Sequence, residues 1–318
     1  MADLFEVPSC DKCRNPAIHH QVYSGRMMCG AHLAESVRKK VSKAMREQLK
    51  IPRGGNFTIL VAISGGKDSA VLLERIHENV GKRRDVTIVG GCVDEGIEGY
   101  RPPSLECARK LCESLGVRFE TVSYPELGFN EMDEVVKKIV DFNDNKTPCS
   151  YCGVFRRQGI NHLAERVGAD VIALGHNLDD MAQTIMMNMQ NGDIERTVRL
   201  APHTTTPIEG MAPRIVPLRW VPEQEVHLYA IHKKLPIHHE ECPHGEGALR
   251  FKHRETIAMM EADVPGTRHG LLRMADDIKK LHAKAGGLKP SNPINCPQCG
   301  QMCSGAICKA CEMKEQMK

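Results

Sequence analysis

The order of patterns along the chain predicts an α/β protein built on a doubly wound parallel sheet. Two observations carry this expectation. Short β-branched apolar runs alternate with stretches of helical periodicity, and a glycine turn joins the first such run directly to a helix. The first run, Phe57 to Ile63, is bounded by Gly54-Gly55 and Gly65-Gly66, and Val71, Leu72, Leu73 and Ile76 then recur at helical spacing. Next come VTIVGGCV as a strand, Pro102 to Leu115 as a helix, VRFETV as a strand, two helices over Glu131 to Phe142 and Gly153 to Val167, and DVIALG as a strand. Parallel sheets of this kind bind ligands beyond the carboxyl ends of their strands. Three loops therefore converge on one crevice: Ser64-Gly65-Gly66-Lys67-Asp68-Ser69, Val93-Asp94-Glu95 and Gly175-His176-Asn177-Leu178-Asp179-Asp180.

A strand–glycine loop–helix turn leaves several backbone N–H groups facing one space, and the helix adds its positive dipole end. Its natural occupant is a phosphate. The loop is not a Walker A sequence, because the four-residue span before Gly-Lys-Ser/Thr is missing. A mere turn between core elements would account for Gly65 and Gly66, but not for Lys67 and the flanking serines. Asp68 and Asp180 are candidate Mg²⁺ ligands, since that hard ion prefers oxygen. Asp179 reads as a helix cap and Asp180 as the functional carboxylate.

With 318 residues, 41% of them hydrophobic, the chain can bury a substantial core, and it carries a net charge of only +3. Bulk charge neither demands nor excludes a nucleic acid. No apolar run reaches about 18 residues, and MADLFEVPSC has no signal pattern, so a cytoplasmic protein with no membrane partner is expected.

Most of the 14 cysteines are grouped in close pairs. Cys10-x-x-Cys13 and Cys29-x-x-His32, 15 residues apart, have the spacing of two knuckles on one tetrahedral zinc, and Cys296-x-x-Cys299 with Cys308-x-x-Cys311 repeats it. The expected organisation is a zinc module over 1–40, a nucleotide-binding domain over 50–285 and a zinc ribbon over 290–318. Cys92, Cys107 and Cys112 read as small core residues, and Cys303 has no evident role.

A third pair, Cys149 and Cys152 in TPCSYCGVFRR, has no second pair nearby, and the next cysteine is Cys242 in EECPHG. Three thiolates suit an iron–sulfur cluster with one iron not held by protein, a redox dithiol with a spectator, or a zinc site completed by His244. Arg156, Arg157 and a helix start after Cys152 would favour the thiolates in each case. His238 and His239 are equally open in role.

SGGKDS resembles the loop of the ATP pyrophosphatases, which split ATP between its α and β phosphates. SGGKDS, PCSYCGVFRR, GHNLDD and the late Cys242 then occur in the order found in tRNA 2-thiouridine synthetases of that class, and the resemblance runs from Cys10 to Cys311. It implies ATP held by Ala62, Ile63, Ser64, Gly65, Gly66, Lys67, Asp68, Ser69, Val93, Gly175 and His176, with Mg²⁺. It further implies catalytic roles for Cys149, Cys152, Cys242, Arg156 and Asp180, and a cluster, four-iron rather than three-iron, on the three cysteines. The implied reaction adenylates the C2 oxygen of a uridine in tRNA and then replaces it by sulfur, drawn from sulfide or from a ubiquitin-like carrier ending in a thiocarboxylate. CGVFRR, VDEGIEGYR and PLRWVPEQEVHLYAIHKK look closer to the branch acting on the wobble uridine than to the T-loop branch, where the Arg156 position carries lysine.

Two other classes fit these residues less well. An ammonia-using synthetase of the same superfamily would need a glutaminase and has no use for three separated cysteines. A zinc-dependent RNA adaptor would not need an intact SGGKDS and Asp180. Arg250, Lys252, Arg254, Arg268 and Arg273 are candidate phosphate contacts for tRNA or simply a solvated helix face. The stretch Ile185 to Pro236 leaves room for a homodimer surface.

Overall fold

The computed structural model describes residues 7–52, 54–141, 146–203, 211–245, 249–287 and 293–317. The chain opens with a hairpin of β1 (His19–Gln21) and β2 (Arg26–Met28), followed by the long helix α1 (Gly30–Gln48). The central sheet then forms from β3 (Phe57–Ala62), β4 (Val86–Asp94), β5 (Arg118–Ser123), β6 (Val171–Ala173) and β7 (Arg214–Ile215). Its order is β5-β4-β3-β6-β7 and every described pairing is parallel. The chain winds outward from β3 through β4 to β5, then returns to the other side of β3 for β6 and β7. The switch point between β3 and β6 is where such a sheet opens a ligand crevice.

The strands bury both faces because helices cover both. On β3, Ile59 and Val61 enter one core while Leu60 enters the other, the alternation that a pleated strand imposes. The first core is closed by α1, α2 (Lys67–Val80), α3 (Arg101–Leu115) and α8 (Glu223–His232). The second is closed by α4 (Met132–Asp141), α5 (Pro148–Val167) and the C-terminal helix α11 (Lys309–Gln316). Beyond β6 lie α6 (Leu178–Gln190), α7 (Ile194–Val198), α9 (Leu249–Asp263) and α10 (Thr267–Lys284), with Leu178, Met181, Ile185, Leu272 and Ala275 forming a third cluster. A second hairpin, β8 (Ile294–Asn295) and β9 (Met302–Cys303), precedes α11.

The doubly wound parallel sheet is as the sequence predicts, with two differences in its elements. Strand β7 is two residues long and was not foreseen, since so short a segment has no legible period. Helix α5 starts at Pro148 rather than at Gly153: Thr147 is extended at the N-cap, and proline at the first helical position is preset for the turn. Cys149 and Cys152 therefore lie within the helix, three residues apart on one face. Helix α1 also runs unbroken through residue 40, so the N-terminal hairpin and the nucleotide domain share an element. Val37, Val41 and Met45 of α1 belong to the first core. Cys92 and Cys112 are buried in that core, whereas Cys107 is half-buried.

Glu225 of α8 joins the N-terminal hairpin to the sheet. Its buried carboxylate accepts from Gln21 Nε2 at 2.9 Å and Tyr23 OH at 2.5 Å, and pairs with Lys40 Nζ at 2.7 Å. Burial raises its pKa, but the bonds from His19, Lys40 and Tyr23 outweigh burial and hold it at about 2.

Candidate functional site

The glycine loop connects β3 to α2 with Gly66 at the N-cap. Gly65 has φ +85°, and a Cβ there would lie 1.9 Å from the Ser104 carbonyl oxygen, so only glycine lets the loop rest on α3. Ser69 Oγ accepts from the Ser64 N–H at 3.1 Å and donates to the Gly66 carbonyl at 2.9 Å, which holds the turn in shape. Lys67 Nζ sits 3.1 Å from Asp68 and 2.9 Å from Glu223. Burial disfavours its charge, but these two carboxylates outweigh it and raise the pKa. Asp68 is raised by burial, against Lys67 and Asn177 and with help from Asp180.

The loop after β6 meets this turn directly. A Cβ on Gly175 would come within 3.3 Å of the Ser69 nitrogen, and Asn177 Nδ2 donates to Asp68 Oδ1 at 2.9 Å. The expected cap needs correction, whereas the carboxylate of Asp180 keeps its place beside Asp68. Asn177 is the N-cap of α6, and Asp180 completes the capping box by accepting from the Asn177 N–H at 3.2 Å. Asp179 is no cap: it pairs with Arg268 at 2.6 Å and accepts from the Glu223 N–H at 2.7 Å. Asp180 nonetheless stays within the field of Asp68. Ile63 and Val93 are buried at the strand ends, Ala62 is half-buried, and His176 is exposed at the rim.

These elements line a crevice of about 600 Å³ that includes Ser64, Lys67, Asp68, Tyr100, Glu223 and His238. Its outer wall carries two of the candidate RNA-contacting arginines, both already paired: Arg254 with Glu223 at 3.2 Å, and Arg268 with Asp179 and Glu261. Arg273 instead faces a second cleft beside Trp220 and His269, Lys252 is exposed, and the side chain of Arg250 lies outside the described residues.

The two terminal quartets are assembled as their spacing predicts. The donor atoms of Cys10, Cys13, Cys29 and His32 all lie within 4.8 Å of one another, as do those of Cys296, Cys299, Cys308 and Cys311. A backbone N–H from Cys29 holds the Cys10 thiol down at about 6, which favours the metal-binding thiolate. Cys303, outside both sets, lies 3.1 Å from the Gly305 carbonyl oxygen.

Cys149, Cys152 and Cys242 form no such compact group among the described residues. They do converge. Burial and the charges of Cys152 and Cys149 push the Cys242 thiol up, and Cys149 Sγ lies 3.9 Å from the His244 carbonyl oxygen. His244 Nε2 is held by Asp133 at 2.6 Å, which pins the Cys242 turn to α4 and takes that nitrogen away from a metal. Three neighbouring thiols that do not all lie within 4.8 Å of one another suit a group whose separate metal atoms each take one sulfur.

Contacts that were not foreseen join the cysteines to the loop. The His238 N–H, four residues before Cys242, donates to the Gly65 carbonyl at 2.9 Å. Arg156 is directed toward Cys152: its Nη2 reaches Cys152 Sγ at 3.2 Å and its Nε pairs with Glu95 at 2.7 Å. Glu95 also pairs with Arg101, whose Nη1 donates to the Ser64 carbonyl at 3.1 Å. Both residues lie in VDEGIEGYR, Glu95 just past the end of β4 and Arg101 at the start of α3, and nothing in that stretch names their partners.

Residues 33–242 match the model of the PP-loop domain. The chain is 36% identical to tRNA 2-thiolation protein NcsA of Haloferax volcanii over 97% of this chain and 99% of that one. It is 33% identical to cytoplasmic tRNA 2-thiolation protein 1 of Mus musculus, over 96% of this chain and 72% of that one. Among solved structures, the U34-tRNA thiolase NcsA of Methanococcus maripaludis with its [4Fe-4S] cluster superposes with a TM-score of 0.74 at 32% identity, covering 86% of this chain and 88% of the other. No helix among the described residues is long and apolar enough to cross a membrane.

Proposed function

The chain belongs to the PP-loop tRNA 2-thiolation proteins, and from that premise we propose that it is a tRNA sulfurtransferase replacing the C2 oxygen of the wobble uridine by sulfur at the expense of ATP. The backbone N–H groups of Ser64 to Ser69 and the Lys67 ammonium receive the phosphates of ATP. Asp68 and Asp180 provide carboxylate oxygen for Mg²⁺. Uridine O2 attacks the α-phosphorus and pyrophosphate leaves, while the positive end of α2 and Lys67 stabilise the charge that develops on it. This converts a poor leaving group at C2 into AMP.

Cys149, Cys152 and Cys242 are the residues that would hold an iron–sulfur cluster, which when bound supplies an iron without a protein ligand where sulfide can be held. Arg156 offsets negative charge at Cys152, and the Asp133–His244 pair fixes the turn that carries Cys242. Sulfur then takes the place of O2 at C2, and AMP departs. Sulfide or a ubiquitin-like thiocarboxylate is the proposed donor, each terminal quartet holds a zinc ion, and the protein acts in the cytoplasm as a homodimer.

The observation that carries this reading is that the glycine loop is tied to the cysteine-bearing segments, by the His238 bond to Gly65 and by the contacts of Arg101, Glu95 and Arg156. The test is anaerobic incubation of the iron-loaded protein with tRNA, ATP and sulfide. AMP and pyrophosphate should form in equal amounts with 2-thiouridine, and fragment mass spectrometry should place the sulfur in the anticodon. Sulfur in the T loop would instead assign the other branch, and ADP as product would overturn the reading.

A further inference from the structure

We propose that Glu95 is a positioning residue that sets Arg156 over Cys152 in register with the glycine loop, and that sulfur transfer depends on it while adenylation does not. The proposal rests on the sulfurtransferase reading above. Glu95 is 1% exposed and Arg101 3% exposed, and a buried carboxylate is tolerated only where its charge is matched. Each of its oxygens faces a different guanidinium: Oε2 lies 2.7 Å from Arg101 Nε and Oε1 lies 2.7 Å from Arg156 Nε.

The two arginines differ in freedom. Arg101 is committed on every side, to the Ser64 and Val93 carbonyls, Ser104 Oγ and Cys92 Sγ. It cannot move without the loop. The side chain of Arg156 is half-exposed, and its described contacts are Glu95 and Cys152. A long cation so placed would take up many rotamers in solvent unless something fixed it. Glu95 is that anchor. From the Ser64 carbonyl to Cys152 Sγ the path is four contacts of 3.1, 2.7, 2.7 and 3.2 Å, and Glu95 is its middle member. One carboxylate between two guanidinium groups also leaves one positive charge in excess, and the exposed end of that charge lies on the sulfur side.

Glu95→Gln keeps the shape and removes the charge. With iron-loaded protein, thiolation turnover should fall about 30-fold, while pyrophosphate release and the KM values for ATP and tRNA stay within about threefold of the parent. Glu95→Gln combined with Arg156→Gln should fall no further than Arg156→Gln alone, because the two residues act as one unit. In metal-free protein, alkylation of Cys152 by iodoacetamide, followed by peptide mass spectrometry, should slow by about threefold or more in Glu95→Gln, with the exposed Cys149 unchanged. Should Glu95→Gln fail to fold, Glu95→Asp takes its place, since the shortened side chain keeps the charge but cannot span both arginines. Equal loss of pyrophosphate release and thiolation, additive effects in the double variant, or an unchanged Cys152 alkylation rate would overturn the proposal. A parent that makes no 2-thiouridine would defeat the sulfurtransferase reading, and the alkylation arm would still judge the placement of Arg156.

Discussion

The terminal quartets, one of which includes His32, and the central trio use cysteine thiols under opposite conditions. In each quartet four donors crowd within 4.8 Å and at least two of the cysteines are buried. Backbone amides reinforce the second: the N–H groups of Cys308 and Cys311 lie 3.4 Å from the sulfurs of Cys296 and Cys308. The trio is looser, with Cys149 exposed and Cys152 and Cys242 half-buried, and a guanidinium, that of Arg156, stands at Cys152. On the function proposed above, the quartets serve as closed structural sites and the trio keeps a face open to reactants. Helix α5 carries both kinds of contact, since its first turns hold Cys149 and Cys152 while Gln158 donates to Cys299 Sγ at 3.2 Å.

The largest effect that separates the two should come from Cys152→Ser. Thiolation should drop by about 1,000-fold or more and iron should be lost, with the zinc content of the protein unchanged; loss of zinc instead would merge the two regions. Next, Cys10→Ser and Cys296→Ser should each remove about one zinc per chain and cost about 3 kcal/mol of stability, read by metal analysis and denaturant unfolding. The damage should differ in place. Cys296, Cys308 and Cys311 belong to the core that also holds Tyr124 and Phe155 under the trio, so Cys296→Ser should also lower iron retention, whereas Cys10→Ser should not.

Lys67→Met sharpens the contrast from the third side. It removes the loop's cation, so pyrophosphate release should fall by about 100-fold while both metals stay at parent levels. The smallest effect concerns the junction at Glu225. Its folded pKa of about 2 lies below the ordinary 4.5, so the stability it contributes is complete above pH 4.5 and is lost as pH falls toward 2. Between pH 5 and pH 2.5, the parent should lose about 2 kcal/mol more than Glu225→Gln in urea unfolding. Equal losses would mean that the hairpin–α8 junction is not held by this charge.

Much of this molecule is local in origin and therefore legible in its sequence. Strand runs, helical periodicity, the glycine turn and the spacing of the quartets each depend on residues close along the chain, and each recurs in the structure where its residues predict it. The parallel sheet followed, because alternating strands and helices admit few other arrangements. The start of α5 and the capping of α6, given to Asp179 and made by Asn177 with Asp180, were misread by a few residues. Capping is settled by which side chain finds a free N–H, and Asn177 found it first.

What only the tertiary structure decided are the partnerships between residues far apart in sequence. Lys67 meets Glu223, Gly65 meets His238, and Glu95 stands between Arg101 and Arg156. A buried charge must find a counter-charge wherever the fold places one, and that choice leaves no trace in local composition. Sequence by itself determined which chemical groups this protein has and which strands and helices carry them. The fold determined which groups face each other, because a sheet wound outward from β3 in both directions brings loops more than 100 residues apart to one edge.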